Sequence, residues 1–598
     1  MTRGYRRFAA GRLQSVLRVA PANGVIGFGP TVDREETRFL QEHLTFQTSI
    51  NLKSATMNFE RVLREIGGFG FFNKTIMVGT LMLGTWHTTM CYFFHLFILI
   101  APPSQWCFLN DTSSTFVDMS SLPRGKCMMM VSSPDGGYSN VTFLNEDRVT
   151  CPTGWKYDNE EYFTTLTMEN QWLCGDSWKM YAVHTAFWAG SMTGYLLSGF
   201  LADRIGRKKT ILMLVAVGVT GNFLGMFLTD FITYAVLRFL AGIGAYTVCT
   251  TVFVVVVEYT VSDRRTLISF IWAMSWTIMA AVLPWYGYLL QSWRMLVATN
   301  IGVDVLLVIA LWWVPESSSW LLAVNRTKEA LTILQRIARS NGIEMSQEHL
   351  EKLLQLGPTP GTELGGATER KNMSFTESTL VIIKSPRIRK ITILIYLSWF
   401  VVTLCYNAST LQLGRLGLNL YSTYSIAIAF EFPVNVICIL SLDRLGRRWP
   451  NVTFMFFAGA ACLLMGFLRT ESEVWTLVMA VVAIVTYAGT YNITYQLATE
   501  IFPTVIRGRI VLLQRLLGDI GGLMGAQVAS LAEYDTYAPF LVMGGLSMIA
   551  TVMLFLLPDT MNQALPQTIE EGENFALDQA LCFCPLFSSG QLESKKQK

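Results

Sequence analysis

The sequence predicts an all-α membrane protein of twelve transmembrane helices in two six-helix bundles. Three observations lead there: long apolar stretches, a basic bias at one set of connections, and one charged pattern written twice. Of the 598 residues, 52% are hydrophobic and 15% charged, and the mean hydropathy is +0.38. Soluble domains carry about 25% charged residues, so this chain is short of solvated surface. A net charge of +3 is too small to draw it to nucleic acid.

A helix needs roughly 20 residues to cross a hydrocarbon core of about 30 Å. Twelve apolar stretches are long enough. Six lie near 75–100, 179–201, 209–228, 231–257, 266–290 and 296–314. Six more lie near 390–411, 419–441, 452–469, 474–497, 509–532 and 540–557. The basic runs Arg204 to Lys209, Arg264/Arg265, Arg387 to Lys390, Arg444 to Arg448 and Arg507/Arg509 then share one side. Lys and Arg mark the cytoplasmic face, so both termini are expected there. The opening MTRGYRRFAAGRLQSVLR is basic with no apolar core behind it, which reads as a tail and not as a cleavable signal. The expected organisation is a tail and lead-in over 1–74, a first bundle over 75–314 and a central cytoplasmic loop over 315–389. A second bundle over 390–557 and a tail over 558–598 follow.

The connection 101–178 lies outside on this plan. It holds Cys107, Cys127, Cys151 and Cys174, an even count in an oxidising compartment, so two disulfides with three possible pairings are expected. It also carries the glycosylation sequons at Asn110 and Asn140. The sequons at Asn325 and Asn372 fall inside. The remaining cysteines have no metal-ligand spacing, and neither a metal nor a cofactor is implied. Cys582 and Cys584 are read as part of a plain tail rather than an acylated one. In the central loop, Leu321 to Ala338 reads as an amphipathic helix. Gly357 to Arg370 reads as a flexible linker.

The charged pattern is LADRIGRKKT at Leu201 to Thr210, with a near copy, LDRLGRRWPN, at Leu442 to Asn451. Asp203 and Asp443 stand 240 positions apart. Glu258 with Arg264/Arg265 recurs at nearly that offset as Glu500 with Arg507, and Pro315-Glu-Ser as Pro558-Asp-Thr. Ordered landmarks at one offset indicate a duplicated six-span unit, the parallel-repeat plan of secondary transporters. Anchoring of basic residues explains the Lys and Arg but not the acids repeated with them.

Gly199 to Lys208 resembles the loop signature of the major facilitator superfamily, and Arg238-Phe-Leu-Ala-Gly-Ile-Gly244 resembles its fourth-span signature. A narrower resemblance is to the organic cation, anion and zwitterion transporters of that superfamily. It rests on GWKYD (Gly154 to Asp158), PESSSWLL (Pro315 to Leu322), Tyr495 to Arg507 and LPDT…LPQTIEE (Leu557 to Glu571), and covers about residues 58–571. Ser319 stands where the family usually has a basic residue. The resemblance implies the major facilitator fold, and it implies a gate. Asp203, Arg204 and Arg207 would meet Glu258 and Arg264 or Arg265, with Asp203 also facing the start of the eleventh helix. Asp443, Arg444, Arg447, Glu500 and Arg507 would mirror them.

Ionisable residues deep in spans are functional candidates. Asp519 lies about 15 Å beyond Arg509 along the eleventh span, and Glu431 about 18 Å before Asp443 in the eighth, at 1.5 Å rise per residue. Asp519 resembles the family's counter-charge for a bound ammonium group. Arg515, one turn away on the same face, either neutralises Asp519 or holds a substrate carboxylate. Trp399 and Tyr406, seven apart on one face, and Tyr491 and Tyr495 could cage an organic cation. Trp86 and His87 lie mid-depth in the first span, where His87 is read as a packing histidine. No Walker, HExxH or nucleophile-elbow motif is present, which argues against an enzyme or a primary pump. The sequence thus favours alternating-access transport of small organic cations across the plasma membrane. A carnitine-like or amino-acid-derived zwitterion, an organic anion, and a non-transporting receptor are the alternatives. No oligomeric state is implied.

Overall fold

In hydrocarbon a backbone must satisfy its own hydrogen bonds, so long apolar stretches become helices. The computed structural model describes residues 59–102, 105–108, 127–132, 138–140, 151, 154–157, 164–355, 382–414, 419–469, 472–561, 566, 569–577 and 579. Of these, 59–62 and 346–355 belong to one unit, which includes the helix Gln347–Gln355. The described residues from 63 to 345 and beyond 365 belong to the second unit, which holds the long helices.

Among the described residues, fourteen helices form twelve rods. The first set is α1 (Val78–Ile98), α2 (Trp178–Ile205), α3 (Arg207–Gly225), α4 (Phe231–Ala245) with α5 (Thr247–Glu258), α6 (Ser262–Leu290) and α7 (Trp293–Trp313). The second is α8 (Pro386–Leu413), α9 (Leu420–Ala429) with α10 (Glu431–Leu445), α11 (Arg448–Leu468), α12 (Glu473–Ile501), α13 (Thr504–Ser530) and α14 (Ala538–Phe555). Seven rods pass a test of length and apolar composition for crossing a membrane. The other five, α1, α2, α3, α9 with α10, and α13, are broken or more polar.

Two spans that read as continuous are interrupted. The fourth breaks at Tyr246 and the eighth at Phe430. Pro433 explains the second break. It has no N–H to give and its ring collides with the carbonyl four residues back, at Ala429, where α9 ends. The restart makes Glu431 the first residue of α10. The amphipathic segment expected over 321–338 is likewise two helices, Ser318–Ala323 and Thr327–Ser340. Asn325 turns between them at φ 61°, a left-handed conformation that Asn tolerates.

Within the first bundle, glycine lets α4 approach α2. A Cβ on Gly242 would lie 3.2 Å from the Ser191 nitrogen and collide with the Phe187 carbonyl. Between the bundles, α2 packs on α13 and α6 on α9. On the side of the long connection, β1 (Gln105–Phe108), β2 (Met128–Ser132), β3 (Tyr138–Asn140) and β4 (Lys156–Tyr157) form a sheet in the order β3-β2-β1-β4. Disulfides join Cys107 to Cys151 and Cys127 to Cys174. Asn140 ends β3; Asn110, Cys582 and Cys584 lie outside the described residues. Glu169 holds this region to α7: it accepts hydrogen bonds from Arg294 at 2.6 and 2.7 Å and from Trp293 Nε1 at 2.9 Å.

Candidate substrate site and gates

Helix periodicity brings the mid-span candidates together. Trp399 and Tyr406 share a face of α8 and meet Tyr491 of α12, with ring centroids 4.5 and 6.4 Å away. Tyr495 lies 5.9 Å from Trp399. Tyr406 donates a hydrogen bond of 3.0 Å to Glu431, which is 3% exposed. Its new helix start places that carboxylate at a positive dipole end. Asp519 is 1% exposed and accepts from Ser191 of α2 at 2.9 Å.

Arg515 is the centre of this cluster. Its guanidinium bonds the Tyr491 hydroxyl and lies 3.8 Å from the Asp519 carboxylate. It also sits over the rings of Tyr195 and Tyr246, at 5.1 and 5.0 Å. Arg515 thus reaches the expected aromatic cage at the Tyr491 hydroxyl, while the rings it lies over belong to two other residues, Tyr195 and Tyr246. Among the described residues, several buried polar atoms here have no hydrogen-bond partner: Arg515 Nε, Tyr195 hydroxyl, Trp399 Nε1 and both amide atoms of Gln514. Buried groups of this kind are normally satisfied, so they mark where a polar ligand would gain most.

The first bundle's share of the site was not visible in the sequence. Tyr195, Ser191 and Tyr246 carry no charge and stand among many aromatics and hydroxyls. Tyr246 had one signal, its place just after Gly242 and Gly244. Trp188 stacks on Tyr246 at 5.5 Å and Tyr92 packs edge-on to Trp188. His87 belongs to a separate buried cluster, bonded to Asp304 of α7.

The two charged loops have one construction. Gly206 and Gly446 end α2 and α10 at φ 99°, ψ 162° and φ 79°, ψ −175°. Only glycine occupies that region readily. The turn leaves the next helix's N–H groups bare, and an acid from the repeat covers them. Glu316 accepts from the Arg207 and Lys208 nitrogens at 2.8 and 3.2 Å. Asp559 accepts from those of Arg447 and Arg448, both at 3.3 Å. Neither acid was among the sequence candidates, although both lie in the repeated Pro-acid-hydroxyl landmark.

The second member of each pattern also recurs. Arg207 reaches Glu258 at 3.5 Å and the Ala202 carbonyl at 3.2 Å. Arg447 reaches Glu500 at 3.2 Å and the Leu442 carbonyl at 3.0 Å. Arg265 and Arg507 each bond a carbonyl five residues back, that of Thr260 at 3.2 Å and that of Phe502 at 3.0 Å. Asp203 is 81% exposed at its side chain and 3.7 Å from Arg207, its own i+4 neighbour. It is therefore not drawn onto Arg264 or Arg265. Arg204 lies over Phe200 at 4.2 Å, and Arg264 is exposed at the start of α6. The side chains of Asp443 and Arg444 lie outside the described residues.

Residues 176–526 match the model of the Major Facilitator Superfamily. Over 546 residues the chain is 28% identical to solute carrier family 22 member 7 of Bos taurus, covering 86% of this chain and 96% of that one. It is 27% identical over 531 residues to solute carrier family 22 member 13 of Homo sapiens, covering 86% and 93%. A beta-alanine transporter of Drosophila melanogaster is 26% identical over 561 residues, covering 88% and 91%. Among solved structures, the inward open xylose transporter XylE from E. coli superposes with a TM-score of 0.53 at 14% identity, over 84% of this chain and 98% of that one. That likeness is one of fold.

Proposed function

Since this chain belongs to the Major Facilitator Superfamily and its organic ion transporter branch, and so is a multi-pass secondary transporter rather than an enzyme, we propose that its substrate is a small zwitterion carrying an amine and a carboxylate. The observation that carries this reading is Arg515, a guanidinium over two tyrosine rings with an unbonded Nε in a buried site. Among the described residues the nearest carboxylate to Nε is that of Asp519, at 3.8 Å and beyond hydrogen-bond reach; a substrate carboxylate would bring a closer acceptor, and guanidinium–carboxylate pairing is strong where water is scarce. The substrate ammonium turns to Glu431, beside the hydroxyl and ring of Tyr406. Similarity to a beta-alanine transporter supports the same charge class.

A second reading, transport of organic cations, is favoured by the two mid-span acids, Glu431 and Asp519. Against it, a cation entering the cage meets the charge of Arg515. Alternating access works through the repeated loops, whose Arg207–Glu258 and Arg447–Glu500 pairs stabilise one closed face. That face is cytoplasmic by its basic residues, and the membrane is the plasma membrane.

The test is uptake of three labelled probes by cells expressing the chain: β-alanine, tetraethylammonium and benzoate. The expected result is β-alanine entry that Arg515→Gln reduces at least about tenfold, the loss of one good charged hydrogen bond. Entry of tetraethylammonium that Asp519→Asn abolishes and Arg515→Gln spares replaces this reading with the cation one. Benzoate entry indifferent to Asp519→Asn makes it an anion carrier. Surface-expressed protein that admits none of the three is a receptor or carries another substrate class.

A further inference from the structure

The first bundle holds an ionisable cluster that the substrate site does not use. His87 of α1 and Asp304 of α7 are 0% and 1% exposed and bond through Nδ1 and Oδ1. The other ring nitrogen, Nε2, faces the Gly244 carbonyl at 3.4 Å. A carbonyl only accepts, so Nε2 carries a hydrogen. One proton between Nδ1 and Oδ1 then decides the charge of the pair. With it the pair is neutral; without it a carboxylate is left bare in the bundle. Intramembrane groups so arranged are rare and costly, and they recur in proton pathways.

Among the described residues, the surroundings supply no competing charge. On α1, Cys91 lies 3.9 Å from the ring, and Asn300 of α7 donates to its sulfur at 3.4 Å. On α5, Cys249 lies 3.7 Å from the Thr85 hydroxyl, one face of α1 away. Between Arg294 and Glu316, Asp304 is the one ionisable residue of its stretch. Between Arg265 and Tyr286, α6 has none. On α4, the Arg238 guanidinium is engaged by Asn222 at 3.0 Å and lies over Phe187 at 5.3 Å. Among the described residues, two buried acceptors remain without a donor, Asp304 Oδ2 and Asn300 Oδ1. They are one helical turn apart on α7, on the same face. A proton arriving on water finds there two oxygens with nothing to accept.

The cluster also touches the element that covers the substrate site. His87 bonds the Gly244 carbonyl and Thr88 the Ala245 carbonyl at 2.7 Å. The next residue is Tyr246, where the fourth span breaks and whose ring lies over Arg515. Removal of the proton from the pair changes the His87 ring's hold on that break, and hence the cover of the guanidinium.

We infer that His87 and Asp304, with Asn300, form a proton-binding site coupled through Tyr246 to the Arg515 site, so that a proton travels with the substrate. This rests on the zwitterion reading above. It supplies what that reading leaves open, because a zwitterion carries no net charge for the membrane potential to drive. The cycle balances: the pair takes one proton on one side, becomes neutral, and returns to a carboxylate on release at the other.

The experiment uses the full chain in proteoliposomes, with the membrane potential clamped and labelled β-alanine as probe. Exchange of β-alanine at equal pH is measured first, then uptake under a proton gradient with a pH dye inside. A gradient of one pH unit, for one coupled proton, raises accumulation about tenfold. Wild type is expected to show that rise and to acidify the lumen as β-alanine enters. The double variant His87→Gln with Asp304→Asn keeps hydrogen-bonding groups but cannot titrate; it is expected to keep exchange and lose the rise. Wild-type exchange that ignores the gradient overturns the proposal, whatever the variant's folding. A folded double variant that keeps the rise overturns it as well. No wild-type exchange at equal pH removes the zwitterion reading, and this one with it, before any gradient is applied.

Discussion

Glu169 shows what one well-placed carboxylate does outside the membrane. Hydrogen bonds from Arg294, aided by Trp293, hold its carboxyl below the ordinary value for a glutamate. A lowered pKa in the folded state means stability that is present above the unfolded value, about pH 4.3, and lost as pH falls through the folded one. Glu169→Gln should therefore lower the denaturation temperature of purified protein from neutral pH down to mildly acid pH, by an effect of about 1 kcal/mol for a partly exposed bidentate pair. The gap between variant and wild type should close below about pH 4. A gap that widens with acid would show that the bond does not depend on the ionised carboxyl. At the same scale, Arg515 was readable as unusual from its neighbour Asp519. The rings above it were not, because Tyr195 and Tyr246 are remote in sequence and carry nothing that sets them apart.

Helix ends build the two charged loops proposed as gates. Gly206 and Gly446 occupy a backbone region costing other residues about 1–3 kcal/mol. A Cβ on either would also press on the capping acid, Glu316 or Asp559. Gly206→Ala and Gly446→Ala should each lower thermal stability in detergent and slow uptake. Gly199→Ala in the same motif, with nothing within 4 Å of its Cβ, should do neither. Equal behaviour of all three would mean that the turn is not under that constraint. The glycine positions are plain in the sequence because the motif is written twice. The acids that cap them are not, since Glu316 is 109 residues from Arg207 and meets it only once the bundle has closed.

Across the whole second unit, hydrogen bonds between bundles run from the cage toward the disulfide side. Tyr92 meets Asn407 at 2.9 Å, Ser191 meets Asp519 at 2.9 Å, Gln527 meets Thr185 at 3.3 Å and Tyr181 meets Glu533 at 3.2 Å. Alternating access requires α2 and α13 to part along this line. Cysteines introduced at Thr185 and Gln527, joined by a short bifunctional maleimide, should stop uptake. Each single-cysteine variant treated alike should retain it. Uptake that continues in the cross-linked pair would show that these helices stay together through the cycle.

Hydropathy and charge are properties of neighbours in the chain, and they sufficed for the twelve spans, the duplicated loops and the four cysteines of the long connection. The same local reading could not foresee the break at Tyr246; the one at Phe430 is marked in the sequence by Pro433, three residues on. Partner choice lay further out of reach. Cys107 takes Cys151, His87 takes Asp304 and Arg515 takes the rings of the other bundle, across tens to hundreds of residues. The first follows from the sheet that carries Cys107, and the other two from which helix faces pack together. That packing depends on small residues such as Gly242 and on the shapes of buried side chains, which no local pattern records.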